Sequence, residues 1–329
     1  MPSFVEVIDA IYDSGMDLAR LRVLVAIARE GSVTGAAEVL HYAQPSVSHH
    51  LARLEAEVGM PLVQRAGRGI RLTDAGRVLA ERAEEILGRV ASARAEVEAH
   101  AGLQAGRLRI AAFPSALATL VPVAAARFAT AHPGIELSLR EAEPPEALTA
   151  LRNGEVDLAL AFDYDHGPVP ADNSHLTTTP LLREPIYIVT SGHEPRSLGT
   201  YGDERWIAGC ERCRAHLVAE CGKAGFAPII GYETDDFVAA QALVAAGLGI
   251  TVLPGLALLA HRHQAVHIRR LPGDHRTVTA TTYGKPPAPL PVQAFFTALA
   301  EAQATLPPWP RTHRRRRHVT GPASGSEDA

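Results

Sequence analysis

The chain has 329 residues, 47 % of them hydrophobic and 5 % aromatic, with 32 Lys and Arg against 36 Asp and Glu for a net charge of −4. That length predicts two or three domains with room for buried cores. The charge excludes a basic surface overall, so any nucleic-acid footprint must be local.

The first residues are acidic and lack the basic start of a signal peptide, and a second methionine, Met16, stands directly before the first clear helix. The longest uncharged run, residues 237–260, is interrupted by Gln241, Gly247, Gly249 and the Pro254–Gly255 pair. It reads as helix, buried strand and helix rather than a membrane span. A cytoplasmic protein is expected, with its three cysteines reduced.

Leu18, Leu21, Val25 and Ala28 share one helical face, and Gly31 stops that helix. Residues 31–58 then read as two short helices around a tight turn at His41, Tyr42 and Ala43. Pro45 falls in the first turn of the second helix, where a missing N–H costs nothing. Val47, Leu51, Leu54 and Val58 make its apolar face; Gln44, Ser46, Ser48, His49, His50 and Arg53 supply small polar and basic groups opposite. A helix so anchored suits a major groove. From Asp17 to Leu72 seven arginines face five carboxylates, a mildly basic balance. Two short extended pieces around Gly67 and Gly69 predict a hairpin wing, with Arg65 and Arg68 flanking its tip within reach of phosphates.

Thr73 caps the next predicted helix, which runs to about residue 100. Leu79, Ala83, Ile86, Val90, Ala93 and Val97 form a heptad seam, the pattern of a dimerising linker, with packing against the chain's own effector half as the alternative. From Arg107 strands and helices alternate, an α/β region in two lobes. The expected strands are 108–113, 135–141, 156–162, 185–190, 206–208, 228–232, 250–253, 266–270 and 278–283. The expected helices are 115–131, 144–153, 213–224, 235–246 and 290–304, with a polar crossover at 163–180. The tail from Arg311, basic and then Gly, Ser and acidic, is expected to be disordered.

This order of parts resembles the LysR-type transcriptional regulators over residues 16–308. The resemblance rests on Gly31-Ser32-Val33, Ala36-Ala37, Leu40, Gln44-Pro45-Ser46-Val47-Ser48, Leu54-Glu55, Gly59, Pro61-Leu62, Arg65 and Leu72-Thr73-Asp74-Ala75-Gly76. Pro133-Gly134-Ile135, Asp157-Leu158-Ala159 and the run from Ala245 to Ile250 and Pro254 fit as well. It implies an all-α winged helix-turn-helix at 16–73 after a short extension at 1–15, a dimerisation linker at 74–102, and a periplasmic-binding-protein-like effector domain at 103–308. Lobe I would take 103–180 and 275–308, and lobe II 181–274.

By resemblance Ser32 and Thr34 touch DNA backbone, Gln44, Pro45, Ser46, Ser48 and His49 face the groove, Arg53 lies nearby, and Arg65 and Arg68 meet phosphate. The family commonly has Arg where this chain has His49. The partners implied are double-stranded promoter DNA, a small, anionic effector between the lobes, and a second copy of the chain in a homodimer or homotetramer. No cofactor and no membrane are implied. The effector site would draw on Ser115, Ala116, Phe162, Asp163, Asp235 and Gly249; capping alone is the plainer role for Ser115 and Asp235.

One constellation lies outside this scheme. Cys210 and Cys213, with His216 and Cys221 nearby, have a spacing that suits zinc, a redox disulfide, or small residues at a helix start. A redox or metal sensor using those cysteines is the second functional reading. An enzyme or binding protein with a vestigial DNA head is the third, although no Walker loop, nucleophile elbow or metalloprotease helix is present. His261, His263 and His267 read as a solvated edge.

Overall fold

The structure is a computed structural model that describes residues 17–66, 69–99, 106–164 and 176–311. The expected extension at 1–15, Met16, the wing-tip residue Arg68, most of the crossover and nearly all of the tail lie outside the described residues.

Three helices open the described residues: α1 (Leu18–Glu30), α2 (Val33–Leu40) and α3 (Gln44–Val58). Five of the six boundaries carry a cap, and the start of α3 has Pro45 in its first turn instead. Asp17 and Ser32 accept backbone N–H bonds as N-caps, and Gly31 and Gly59 adopt the left-handed conformation as C-caps. His41 does the same at φ 55, an uncommon conformation for a residue with a side chain. Leu24, Val47, Leu54 and Leu62 are buried at the centre of this head. The wing forms as expected from β1 (Val63–Ala66) and β2 (Gly69–Leu72), paired antiparallel.

Helix α4 (Asp74–Ala99) follows, its first turn capped by the Thr73 hydroxyl. Its heptad seam divides. Ala83 is buried in the head with Leu79 beside it, whereas Ile86, Val90, Ala93 and Val97 are exposed. The helix also touches the effector half. A Cβ on Gly88 would lie 1.9 Å from the Asn153 carbonyl oxygen, so only glycine permits that approach. Arg29 spans the same junction, bonding Glu84 and Glu155 at 3.0 and 2.7 Å.

The effector half is built on one six-stranded sheet in the order β4-β3-β5-β10-β6-β9. Its strands are β3 (Gly106–Ala112), β4 (Ile135–Glu141), β5 (Leu158–Tyr164), β6 (Leu176–Ser191), β9 (Thr251–Pro254) and β10 (Val266–Tyr283). β3 runs parallel to β4 and β5; β10 is antiparallel to β5 and β6. Helices α5 (Pro114–Leu117), α6 (Leu120–Ala131), α7 (Pro144–Arg152) and α11 (Leu290–Ala304) cover the first lobe. The second holds the parallel pair β7 (Arg205–Ala208) and β8 (Ile229–Glu233) with α8 (Glu211–Lys223), α9 (Phe237–Ala245) and α10 (Gly255–Ala260).

Several expected boundaries change. The strands expected at 266–270 and 278–283 are one strand, with a register shift between Arg270 and His275. β6 begins nine residues before the expected 185, so residues 176–180 are strand and not crossover. The helix expected from Ser115 breaks between α5 and α6, where Thr119 leaves helical geometry at φ −132, ψ −77. The expected strand 156–162 is shifted to Leu158–Tyr164. The run 237–260 is helix, strand and helix as expected, and no helix among the described residues is long and apolar enough to cross a membrane.

Candidate functional site

The polar side of α3 is laid out by the burial of its other side. Val47, Leu51 and Leu54 are buried, so Pro45, His49 and Arg53 form one exposed ridge and Gln44 and Ser48 the next. Ser46 and Thr34 are exposed as well, and Arg65 stands exposed on the wing. Ser32 is half-buried, with its hydroxyl accepting from the Gly35 N–H at 3.0 Å. Sequence reasoning missed what holds the wing against this face. One Glu55 carboxylate oxygen accepts from the Leu62 and Val63 N–H groups at 2.8 and 3.2 Å. Arg20 of α1 pairs with Glu57 and ties the first helix to the third.

A second site lies between the lobes, a cavity of about 60 Å³. Phe113, Ser115, Phe162, Tyr164 and Arg276 come from the first lobe, and Cys210, Cys213, Phe237 and Leu253 from the second. Ser115 is not a cap; Phe113 holds that position, and the buried Ser115 hydroxyl accepts from Arg276 at 2.9 Å. Phe162 and Asp235 also line the cavity. Asp235 does not open its helix, because Asp236 is the cap of α9. The other three expected residues lie elsewhere. Ala116 is buried in the first lobe's core, Asp163 pairs with Arg212 at 2.7 Å, and Gly249 packs on strand β7, where a Cβ would lie 2.6 Å from the Arg205 carbonyl oxygen.

Arg276 is the residue that sequence reasoning missed. Its guanidinium is buried, 2.7 Å from Glu184 and 4.1 Å from the centre of the Phe162 ring. Burial works against its charge, but the Glu184 carboxylate prevails and holds its pKa above the ordinary arginine value. Glu184 is itself buried, its other oxygen accepting from the Leu256 N–H at 2.6 Å. The only signal for either residue was a charge set in a run of strand formers.

Outside this cavity a wider recess of about 430 Å³ opens between the lobes. Glu143, Glu146, Glu211, Glu233 and Asp235 line it, with Arg212 as the one cation. Glu143 Oε2 is buried without a hydrogen-bond partner, and burial pushes the carboxyl pKa up.

The cysteine constellation divides. Cys210 and Cys213 lie with their sulfurs 3.1 Å apart. His216 does not join them. It stacks on Tyr164 at 3.7 Å and meets Asp274 at 3.0 Å, and with Glu220 and Asp274 makes a separate group of metal-ligand type. Cys221 is buried in the second lobe beside Trp206 and Leu217, where desolvation pushes its thiol up to about 12. The four residues therefore do not form a single metal site. Among the described residues, His261, His263 and His267 form no cluster of metal-ligand geometry either.

Comparison with known proteins matches both halves. Residues 18–77 fit the bacterial regulatory helix-turn-helix protein family of lysR type, and residues 101–304 fit the LysR substrate binding domain. The transcriptional dual regulator GltC of Bacillus subtilis (strain 168) is 31 % identical over 248 residues, covering 73 % of this chain and 81 % of GltC. The probable regulator LrrA of Synechococcus elongatus is 30 % identical, covering 74 % and 82 %. The LysR family regulator CbnR shares the fold, with a TM-score of 0.62 at 21 % identity over 88 % of this chain and 99 % of CbnR. The helical head with its exposed third helix and wing, and the two-lobed α/β unit with a cavity between the lobes, are thus each matched, and the chain belongs to the LysR family of DNA-binding transcriptional regulators with an effector-binding domain.

Proposed function

We propose that α3 reads operator bases through Gln44, Pro45, Ser46, Ser48 and His49, with Arg53 beside them, while Ser32, Thr34, Arg65 and Arg68 hold the DNA backbone. The observation that carries this is the anchoring of α3: three buried residues on one face fix which side chains stand exposed on the other. Two copies joined along the exposed half of the α4 seam would read two half-sites. Since the head is only mildly basic, pairing of heads supplies the affinity that one head lacks. The protein acts by binding rather than by catalysis, in the cytoplasm. Fluorescence anisotropy with DNA from beside its own gene tests the reading. Gln44→Ala with Ser48→Ala should erase discrimination between operator and scrambled DNA. Arg65→Ala should weaken both alike and lower the salt slope by about one. Retained discrimination in the double variant would overturn the assignment.

The interlobe cavity is the effector site in this reading, entered through the acidic recess. Arg276 is neutralised by Glu184 and Arg212 by Asp163, so neither is a free cation for an anionic ligand. The carboxylates of the recess favour a neutral or cationic small molecule over the anion expected from the resemblance. Thermal-shift measurements on the full chain, with amine and carboxylate ligands sharing one carbon skeleton, separate the two; larger shifts for the carboxylates would restore the anion.

A further inference from the structure

Cys210 and Cys213 stand together in the cavity wall. They sit at the N-cap and in the first turn of α8. Their sulfurs, 3.1 Å apart, need to approach by about 1 Å to bond. The two thiols are not equivalent. Cys213 accepts from the Cys210 thiol, lies 3.6 Å from the Tyr164 hydroxyl and feels the charge of Arg276. These partners outweigh its burial and hold its pKa below the ordinary thiol value, whereas the same sulfur contact and burial push Cys210 up. Cys213 is the nucleophile and Cys210 the resolving thiol. Both also face the opposite lobe. Tyr164, at the end of β5, meets Cys213, and Glu143, at the start of α7, faces Cys210. Arg212, between them on α8, donates to the Phe162 carbonyl at 2.6 Å and to Asp163. The first turn of α8 is therefore the second lobe's clamp on the first.

We infer that Cys210 and Cys213 are a redox-active dithiol that closes to a disulfide by exchange with a low-molecular-weight disulfide, and that closure releases the thiol part of the clamp between the lobes. In the first step the Cys213 thiolate attacks one sulfur of the small disulfide. Its S–S bond breaks, and one thiolate leaves and takes a proton from water. Cys210 then loses its proton and attacks Cys213 Sγ in the mixed disulfide, expelling the second thiol. Two protein thiols are oxidised by two electrons and one disulfide is reduced to two thiols. An excess of small thiol reverses both steps. In the closed form Cys213 no longer draws the Tyr164 hydroxyl, leaving Arg212 and the stacking of His216 on Tyr164 as the remaining ties. The consequence for ligand affinity rests on the reading of the cavity as the effector site; the disulfide does not.

Full-length protein equilibrated in graded mixtures of oxidised and reduced glutathione, then alkylated, digested and analysed by mass spectrometry, tests the first half. Cys210 and Cys213 should leave the alkylated pool together in one two-electron transition, with Cys221→Ser behaving as the native chain. In Cys210→Ser, glutathione should accumulate as a mixed disulfide on Cys213. Cys210 and Cys213 staying unlinked across the whole range, or pairing with Cys221, would overturn the site. Hydrogen exchange of residues 158–164 tests the second half: exchange several-fold faster in the disulfide form is expected, and identical exchange in both forms would overturn the release of the clamp. Neither readout involves an effector or DNA, so a failed search for a ligand leaves both intact.

Discussion

His49 stands on the exposed ridge of α3 between Pro45 and Arg53, at the position where the resemblance implies an arginine. Imidazole presents one ring nitrogen at a time to a base or phosphate, whereas guanidinium presents a charged fork. His49→Arg is expected to tighten operator binding about tenfold at neutral pH, about 1.4 kcal/mol. Anisotropy titrations that show neither an affinity nor a preference change would remove His49 from the interface. Glu143 is the converse case, a carboxyl whose site disfavours its charge. Its pKa is raised in the folded chain from the ordinary 4.5 by burial first, with Asp235 adding to it. The folded state thus holds its proton more tightly, and stability is lost as pH rises from the unfolded pKa through the folded one. Glu143→Gln should melt higher than the native chain at pH 7, about 2–4 °C for each kcal/mol relieved, with the gap closing near pH 4. A lower melting point at pH 7 would mean that the carboxylate has a partner. None of this was readable beforehand. Glu143 drew no reading from the sequence, and Arg276 and Glu184, which meet 92 positions apart, carry no local sign of pairing.

The elements of the head were readable because their causes are local: apolar residues at helical spacing, side-chain caps and glycine stops. Glu55 was quoted as part of a motif without a mechanism, and the structure supplies one in the two wing N–H groups it receives. Glu55→Ala leaves both donors without that acceptor and should cost about 1–3 kcal/mol of head stability, measured by denaturant unfolding. An unchanged midpoint would show that water replaces the carboxylate. The sheet was less readable. Pro180 and Pro185 made the start of β6 look like a loop, yet both lie before Ile186, where pairing with β9 begins. That stretch of β6 pairs only with β10, so a residue without an N–H is tolerated. The α4 seam was read as one stripe and is two: an upper part under the head and a lower part in the open. Ile86→Glu with Val90→Glu should abolish association of the full chain in sedimentation while leaving the melting of the head unchanged. Persistence of the oligomer would place its interface elsewhere.

At the scale of the molecule, head and effector half meet through Gly88 of α4 and the Asn153–Gly154 turn, with Arg29, Glu84 and Glu155 bridging beside them. Packing of α4 on the effector half was the alternative reading of its seam, but the residues that make the contact, three from each side, carried no sign of it in the sequence. Gly88→Ala forces the helix off the turn; the variant should still bind DNA but lose its response to any molecule that shifts the effector half. A preserved response would show that the signal travels by another route. The junction also sets a scale. About fourteen helical residues separate Gly88 from the start of α4, an arm of about 21 Å. Pivoted at that contact, a tilt of about 9° carries the head along its operator by about 3.4 Å, one base-pair step. A closure of the lobes too small to reshape either half is therefore enough to change which bases the exposed ridge of α3 meets.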